Sequence, residues 1–145
     1  MMHIDLEGRT ALVLGGTRGL GWSCAQALAE AGALVTINGR NREHGQAAAA
    51  QLPGGSFVAA DLADESQRQA LIVAVDNAAP PDIIVTNASG PPAAPFEETS
   101  ASQWRRAYET NMLGPLEVVR HWLPHMRAQG FGRILNITSF VVKEV

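Results

Sequence analysis

The sequence predicts a doubly wound α/β domain built on a parallel sheet, and three observations predict it. Short apolar runs alternate with stretches of helical spacing along the chain. The runs are apolar at successive positions, as strands covered on both faces are. The first run ends on a cluster of glycines that opens directly into a helix.

Arg9 to Leu14 is the first strand, and Gly19 to Ala31 follows as a helix with apolar spacing at Leu20, Cys24, Ala27, Leu28 and Ala31. Ala33 to Asn38 is the second strand, the alanine-rich Arg42 to Leu52 the second helix, and Ser56 to Ala60 the third strand. Asp64 to Asn77 reads as a helix whose acidic first residue suits the helix dipole. The strand Asp82 to Thr86 precedes a loop, Asn87 to Thr99, in which Pro91, Pro92 and Pro95 exclude regular structure. A long helix runs from Ser100 to about Gln129, disturbed at Gly114-Pro115 and at Pro124, and Gly132 to Ile137 is the last strand. Right-handed crossovers between five parallel strands give the order 3-2-1-4-5, which places a ligand at the carboxyl ends of strands one and four. No repeat or linker divides the chain, so residues 1–145 are expected to form one domain.

Composition narrows the function classes. With 46% hydrophobic residues the chain can build a core without disulfides or metal. A formal charge of −3 provides no basic field for nucleic acid or an anionic membrane, and leaves a small ligand as the expected partner. The lone cysteine, Cys24, cannot form an internal disulfide and reads as a core thiol, which suits a reducing cytoplasm. No stretch approaches the roughly 18 apolar residues of a membrane span, so neither export nor anchoring is expected. His121 and His125 lie four apart on one helix without a third ligand, which favours packing or surface roles over a metal site.

The chemistry concentrates in the loops at the strand ends. Gly15-Gly16-Thr17-Arg18-Gly19-Leu20-Gly21 sits at a strand-to-helix turn, where glycines let the backbone approach a pyrophosphate held at the helix N-terminus. The bland reading is a tight connection, but the strand before and helix after favour a dinucleotide. No Gly-Lys-Ser/Thr follows, which excludes the phosphate loop of NTPases. The second strand ends in Asn38-Gly39-Arg40, without the acid that reads the ribose hydroxyls of NAD or of a methyltransferase's cofactor. Arg40 and Arg18 instead offer two guanidinium groups to the 2′-phosphate of NADP(H), unless both are merely solvated surface arginines.

Taken in order, these motifs resemble the short-chain dehydrogenase/reductase family over essentially the whole chain. Leu14-Gly15-x3-Gly19-x-Gly21 is similar to its Thr-Gly-x3-Gly-x-Gly turn, with leucine at the threonine position. Asp61-Leu62 resembles the pair that meets the adenine amino group, and Thr86-Asn87-Ala88-Ser89-Gly90 the Asn-Asn-Ala-Gly segment after the fourth strand. Trp104 and Asn111 match the helix bearing the catalytic asparagine, whose backbone carbonyl holds a relay water in the family, and Gly132 to Ser139 is similar to the fifth strand and its catalytic serine. Taken singly, Asp61 also suits a helix cap, Asn87 an Asx-turn and Ser139 a strand-end hydroxyl.

The resemblance implies a Rossmann-like fold lacking the family's later strands, with Gly15, Thr17, Arg18, Gly19, Leu20, Gly21, Arg40, Asp61, Leu62, Asn87, Ala88 and Ser89 at the cofactor and Asn111 and Ser139 at the chemistry. It further implies an NADP(H)-dependent oxidoreductase acting on a carbonyl or alcohol, of which this chain is the N-terminal, cofactor-binding portion. Gly90-Pro91-Pro92 and Val141-Val142-Lys143-Glu144 are similar to the 3-oxoacyl-acyl-carrier-protein reductase branch, which makes a 3-oxoacyl thioester a substrate to consider. The family's tyrosine and lysine, four apart after the serine, have no counterpart: the only tyrosine is Tyr108 and the only lysine Lys143. The chain alone is therefore expected to be inactive, and the rival reading is a non-catalytic or regulatory NADP(H)-binding module. In the family the long helix packs against its twin; here Trp104, Tyr108, Met112, Leu116 and Val119 supply the large side chains for such a homo-oligomer.

Overall fold

The computed structural model describes residues 4–88, 90 and 93–139. It is a five-stranded parallel sheet of β1 (Thr10–Val13), β2 (Leu34–Gly39), β3 (Ser56–Ala59), β4 (Ile83–Thr86) and β5 (Arg133–Asn136), in the order β3-β2-β1-β4-β5. The helices are α1 (Gly19–Glu30), α2 (Arg42–Ala49), α3 (Glu65–Ala78), α4 (Ala101–Tyr108) and α5 (Gly114–Ala128). The expected doubly wound architecture and strand order are both present.

The two-residue period of the central strand explains the layering. Ala11 and Val13 point to one face with Val35, Ile37, Ile83 and Val85, where Ala25 of α1 and Ala48 and Ala49 of α2 cover them. Leu12 and Leu14 point to the other, into a core with Ile84, Leu71 and Val75 of α3 and Val118, Trp122 and Met126 of α5. Register holds the sets together: Ala11 pairs with Val35 on one side and with Ile83 on the other. Each fully buried Val, Leu or Ile stabilises the fold by about 1.5–3 kcal/mol, which is why continuous apolar runs rather than alternation mark these strands.

Several details depart from the expected spacing. On α1 the buried positions are Gly21 and Ala25, while Leu20 is 67% exposed at the mouth of the glycine turn. Cys24 is half-buried and packs against the core beside Trp22 and Leu28. The loop after β4 contains a short 3-10 turn, Phe96–Glu98, because Pro95 fixes φ only at its own position and its carbonyl accepts from Glu98 N–H. Pro124 does not break α5, which runs through it to Ala128. The disturbance in the long helix is a π-helical segment, Glu109–Leu113, immediately before Gly114-Pro115. At the amino ends of the strands, opposite the glycine turn, the buried Asp82 accepts from Thr10 N–H and from the Gln129 side chain.

Candidate functional site

The strand order reverses between β1 and β4, and the glycine turn lies in the crevice their carboxyl ends make. Gly15 and Gly19 have φ of 59° and 57°, the left-handed region open to glycine at little cost. A Cβ at Gly21 would collide with the Gly15 carbonyl and come within 2.7 Å of Asn87 Nδ2, so α1 starts pressed against the turn. Asn87, just past β4, locks this arrangement by donating from Nδ2 to Gly15 O at 3.0 Å. Its side chain thus joins the two strands that flank the switch point.

The start of α1 also differs from the other helices that begin from loops. Asn41 caps α2 through His44 N–H, Asp64 caps α3 through Gln67 N–H, and Ser100 forms a capping box with Gln103 at the head of α4. Arg18, at the head of α1, makes no side-chain cap, and no acid stands in the first turn. These first N–H groups, with the partial positive charge of the helix end, suit an anionic pyrophosphate.

Beside this turn a cavity of about 700 Å³ is lined by Arg18 and Arg40, by Ala93, Phe96 and Thr99, and by the Gln103–Asn111 face of the long helix, Arg106 included. At the end of β2, the Thr17 methyl lies 2.7 Å from where a Cβ on Gly39 would stand. A side chain at 39 would require Thr17 to move. Asn38 turns inward instead, buried, and donates to the Val58 and Ala60 carbonyls.

Asp61, past the end of β3, accepts from Ala63 N–H with Oδ1 and from Arg106 Nη2 with Oδ2 at 2.7 Å. Asp64, not Asp61, caps the following helix. Partial burial pushes the Asp61 carboxyl up, but the Ala63 N–H and the Arg106 and Arg40 guanidinium groups outweigh burial and hold it below the usual carboxylate range. Leu62 is buried in the α3–α5 core, and Ala88 is half-buried beyond Asn87. Ser89 lies outside the described residues.

Asn111 sits in the middle of the π segment, with its side chain donating back to Ala107 O at 3.0 Å. Gly114 N–H reaches Glu109 O, five residues back. Pro115 has no N–H, so the carbonyl of Asn111 loses the donor an α-helix would supply four residues on. Ser139 follows β5 on the same carboxyl-end side of the sheet and is exposed. Tyr108, on α4, is 55% exposed and does not line the cavity.

The two histidines face acids. His121 Nε2 lies 2.7 Å from Asp76 Oδ2, whose other oxygen accepts from Trp122 Nε1, and His125 stands 4.0 Å from Asp82. Among the described residues no group of three or more His, Cys, Asp or Glu side chains is placed to hold a metal ion. No described helix is long and apolar enough to cross a membrane. Spacing alone had not singled out Arg106, Thr110, Phe96 or Gln103, because cavity-lining on the long helix has no local motif.

Comparison with known proteins agrees with this geometry. Residues 9–144 match the family model described as short chain dehydrogenase. The L-fucose dehydrogenase of Rattus norvegicus is 36% identical over 137 residues, 93% of this chain and 50% of that protein. The L-sorbose reductase of Gluconobacter frateurii, solved in complex with NADPH and L-sorbose, superposes with a TM-score of 0.92 at 25% identity, over 99% of this chain and 57% of that one. A 3-oxoacyl (acyl-carrier-protein) reductase from Agrobacterium tumefaciens C58 with NADP bound gives a TM-score of 0.84 at 31% identity, covering 95% and 55%. The chain spans about half the length of the curated relatives it matches. With the glycine turn, the switch point and the family model in agreement, the chain belongs to the short-chain dehydrogenase/reductase family of oxidoreductases, with 3-oxoacyl-acyl-carrier-protein reductases among its relatives.

Proposed function

We propose that this chain is the single NADP(H)-binding domain of an oxidoreductase that interconverts a carbonyl and an alcohol, working in the cytoplasm as a homo-oligomer. The observation that carries the cofactor is the uncapped start of α1 beneath Arg18 and Arg40. Its N–H groups take the pyrophosphate; Gly19 opens onto free space for it, while Gly15 and Gly21 let α1 start close against the turn. Thr17 and Leu20 flank the turn, and the two arginines pair with the 2′-phosphate that a carboxylate at 39 would repel. Asp61 accepts from the adenine amino group, Leu62 shapes the floor beneath it, and Asn87, Ala88 and Ser89 line the path toward the nicotinamide. When bound, the cofactor supplies or takes the hydride.

The chain's own residues prepare the other half of the reaction. The Asn111 carbonyl, short of its helical donor, orients a water, and the Ser139 hydroxyl holds the substrate oxygen as charge develops on it. Relatives acting on a sugar and on a 3-oxoacyl thioester make those two carbonyl classes the first to assay. The experiment for the cofactor is paired titration with NADPH and NADH of the wild-type chain and of Arg40→Gln. A guanidinium about 4 Å from a phosphate of charge about −1.5 to −2 contributes roughly 1.5–2 kcal/mol in a water-exposed setting. Arg40→Gln should therefore weaken NADPH about tenfold or more and leave NADH within about twofold. Equal weakening of both, or NADH binding at least as tightly to the wild type, would overturn the NADP(H) assignment.

A further inference from the structure

The π segment is held from beneath by one buried side chain that no motif marks. Arg68, on α3, is 3% exposed. Its Nε donates to Glu117 Oε2 at 2.9 Å, Nη2 meets the same oxygen at 2.8 Å, Nη1 donates to Leu62 O at 2.8 Å, and Nη1 lies 3.7 Å from Glu109 Oε2. Glu109 opens the π segment and Glu117 stands in the first turn of α5, so the two carboxylates bracket Asn111. Between them, a Cβ at Gly114 would collide with Leu62 O and stand 3.2 Å from Arg68 Cδ. The helix backbone is thus seated directly on the Leu62 carbonyl, with the Arg68 stem filling the space beside it.

A buried ion pair is weak evidence of stabilisation, because desolvation offsets most of the attraction. What the planar fork adds is geometry: it fixes the Glu117 carboxylate and the Leu62 carbonyl at set directions, with Glu109 attracted by charge at 3.7 Å. A π turn is a register fault that persists only where its surroundings over-determine it, and Arg68 ties both of its flanks to the exit of β3.

We propose that Arg68 is a positioning residue, setting the helix register that presents the Asn111 carbonyl and tying that register, through Leu62, to the floor of the adenosine site. The role rests on the assignment of Asn111 and Leu62 proposed above. Arg68→Met keeps the length and apolar stem, and Glu109 and Glu117, 37% and 28% exposed, can be hydrated when the guanidinium is gone.

The test is amide hydrogen exchange and carbonyl carbon-13 shifts by NMR on the 145-residue chain, with an NADPH titration beside them. In Arg68→Met the Gly114 amide, which bonds Glu109 O, should exchange at least about tenfold faster while Val13 and Val85 in the sheet keep their protection. The Asn111 carbonyl shift should move and NADPH should bind several-fold more weakly. Arg68→Lys, which keeps the charge without the fork, should leave Gly114 fast. Val75→Ala, a cavity in the same core, should change Gly114 and the sheet together and so reports mere destabilisation. Wild-type exchange at Gly114 and an unmoved Asn111 carbonyl in folded Arg68→Met would overturn the proposal. If that variant loses the sheet protection, Glu117→Gln decides: faster Gly114 exchange supports the role and unchanged exchange overturns it. Failure of the wild type to bind NADPH would refute the cofactor reading, while the Gly114 measurement would still decide the role of Arg68.

Discussion

Replacing Gly21 with alanine puts a methyl group where the glycine turn and α1 already touch. The new Cβ would stand 2.7 Å from Asn87 Nδ2 and 3.0 Å from the Gly15 carbonyl carbon, with the Gly15 oxygen closer still. Ordinary contact begins near 3.4 Å, so the helix start must retreat from the turn by about 0.7 Å or more. Neither neighbour yields easily, because Gly15 O is main chain and Asn87 Nδ2 is bonded to it. Overpacking of this kind costs about 1–3 kcal/mol and the strained Asn87 bond about 1 more, against a gain of about 1 for alanine over glycine in a helix. The net is a loss of about 1–3 kcal/mol, which for a chain of this length lowers Tm by roughly 2–12 °C. Cofactor affinity should fall as well, by at least about tenfold, because the displaced N–H groups are those proposed to meet the pyrophosphate. Thermal melts by circular dichroism and NADPH titration of the same sample measure both effects. A Gly21→Ala chain whose Tm and NADPH affinity match the wild type would refute the account of the turn.

Three further outcomes are expected. Burial raises the Asp76 carboxyl, but hydrogen bonds from Trp122 and His121 and the charges of His121 and His125 outweigh it and hold the group below the usual carboxylate range. A depressed folded value stabilises the chain above the unfolded one and is lost as pH falls through the folded one, so Asp76→Asn should lose less Tm than wild type on acidification from pH about 5 to below about 3.8; parallel acid limbs would contradict this. Trp104, Tyr108, Met112 and Leu116, each at least half exposed along one side of the long helix, should pack against a second copy, and light scattering during size exclusion should give a dimer or larger species, whereas a monomer unchanged on dilution would remove the oligomer from the proposal. The 145-residue chain should show no NADPH oxidation coupled to a 3-oxoacyl or sugar carbonyl above background, since Tyr108 and Lys143 are not four residues apart; robust turnover would show that other groups supply the proton.

Much of the fold was legible because its determinants are local. Doubly covered strands such as Ile83–Thr86 read as unbroken apolar runs, and right-handed crossovers leave few orders for five parallel strands. The glycine turn between strand and helix was equally plain, since its backbone demands are confined to Gly15–Gly21. The buried face of α1 was legible in part: Cys24 and Leu28 pack against the core as their spacing expects, but close packing on the turn puts Gly21 and Ala25 innermost and leaves Leu20 exposed. The π segment did leave a trace: Pro115, four residues after Asn111, removes a donor from the Asn111 carbonyl, the one proposed to hold a water. Arg68 and Arg106 left none, because their acidic partners Glu117 and Asp61 lie 49 and 45 residues away in sequence and only the folded sheet brings them together.

The most direct test of the central claim is a crystal structure of the chain grown with NADPH. The pyrophosphate should lie over Gly15–Gly21 at the N-terminus of α1, the 2′-phosphate between Arg18 and Arg40, and the adenine amino group at Asp61. A dinucleotide bound away from the glycine turn, or one seated there with its 2′-phosphate in solvent and neither arginine engaged, would contradict it.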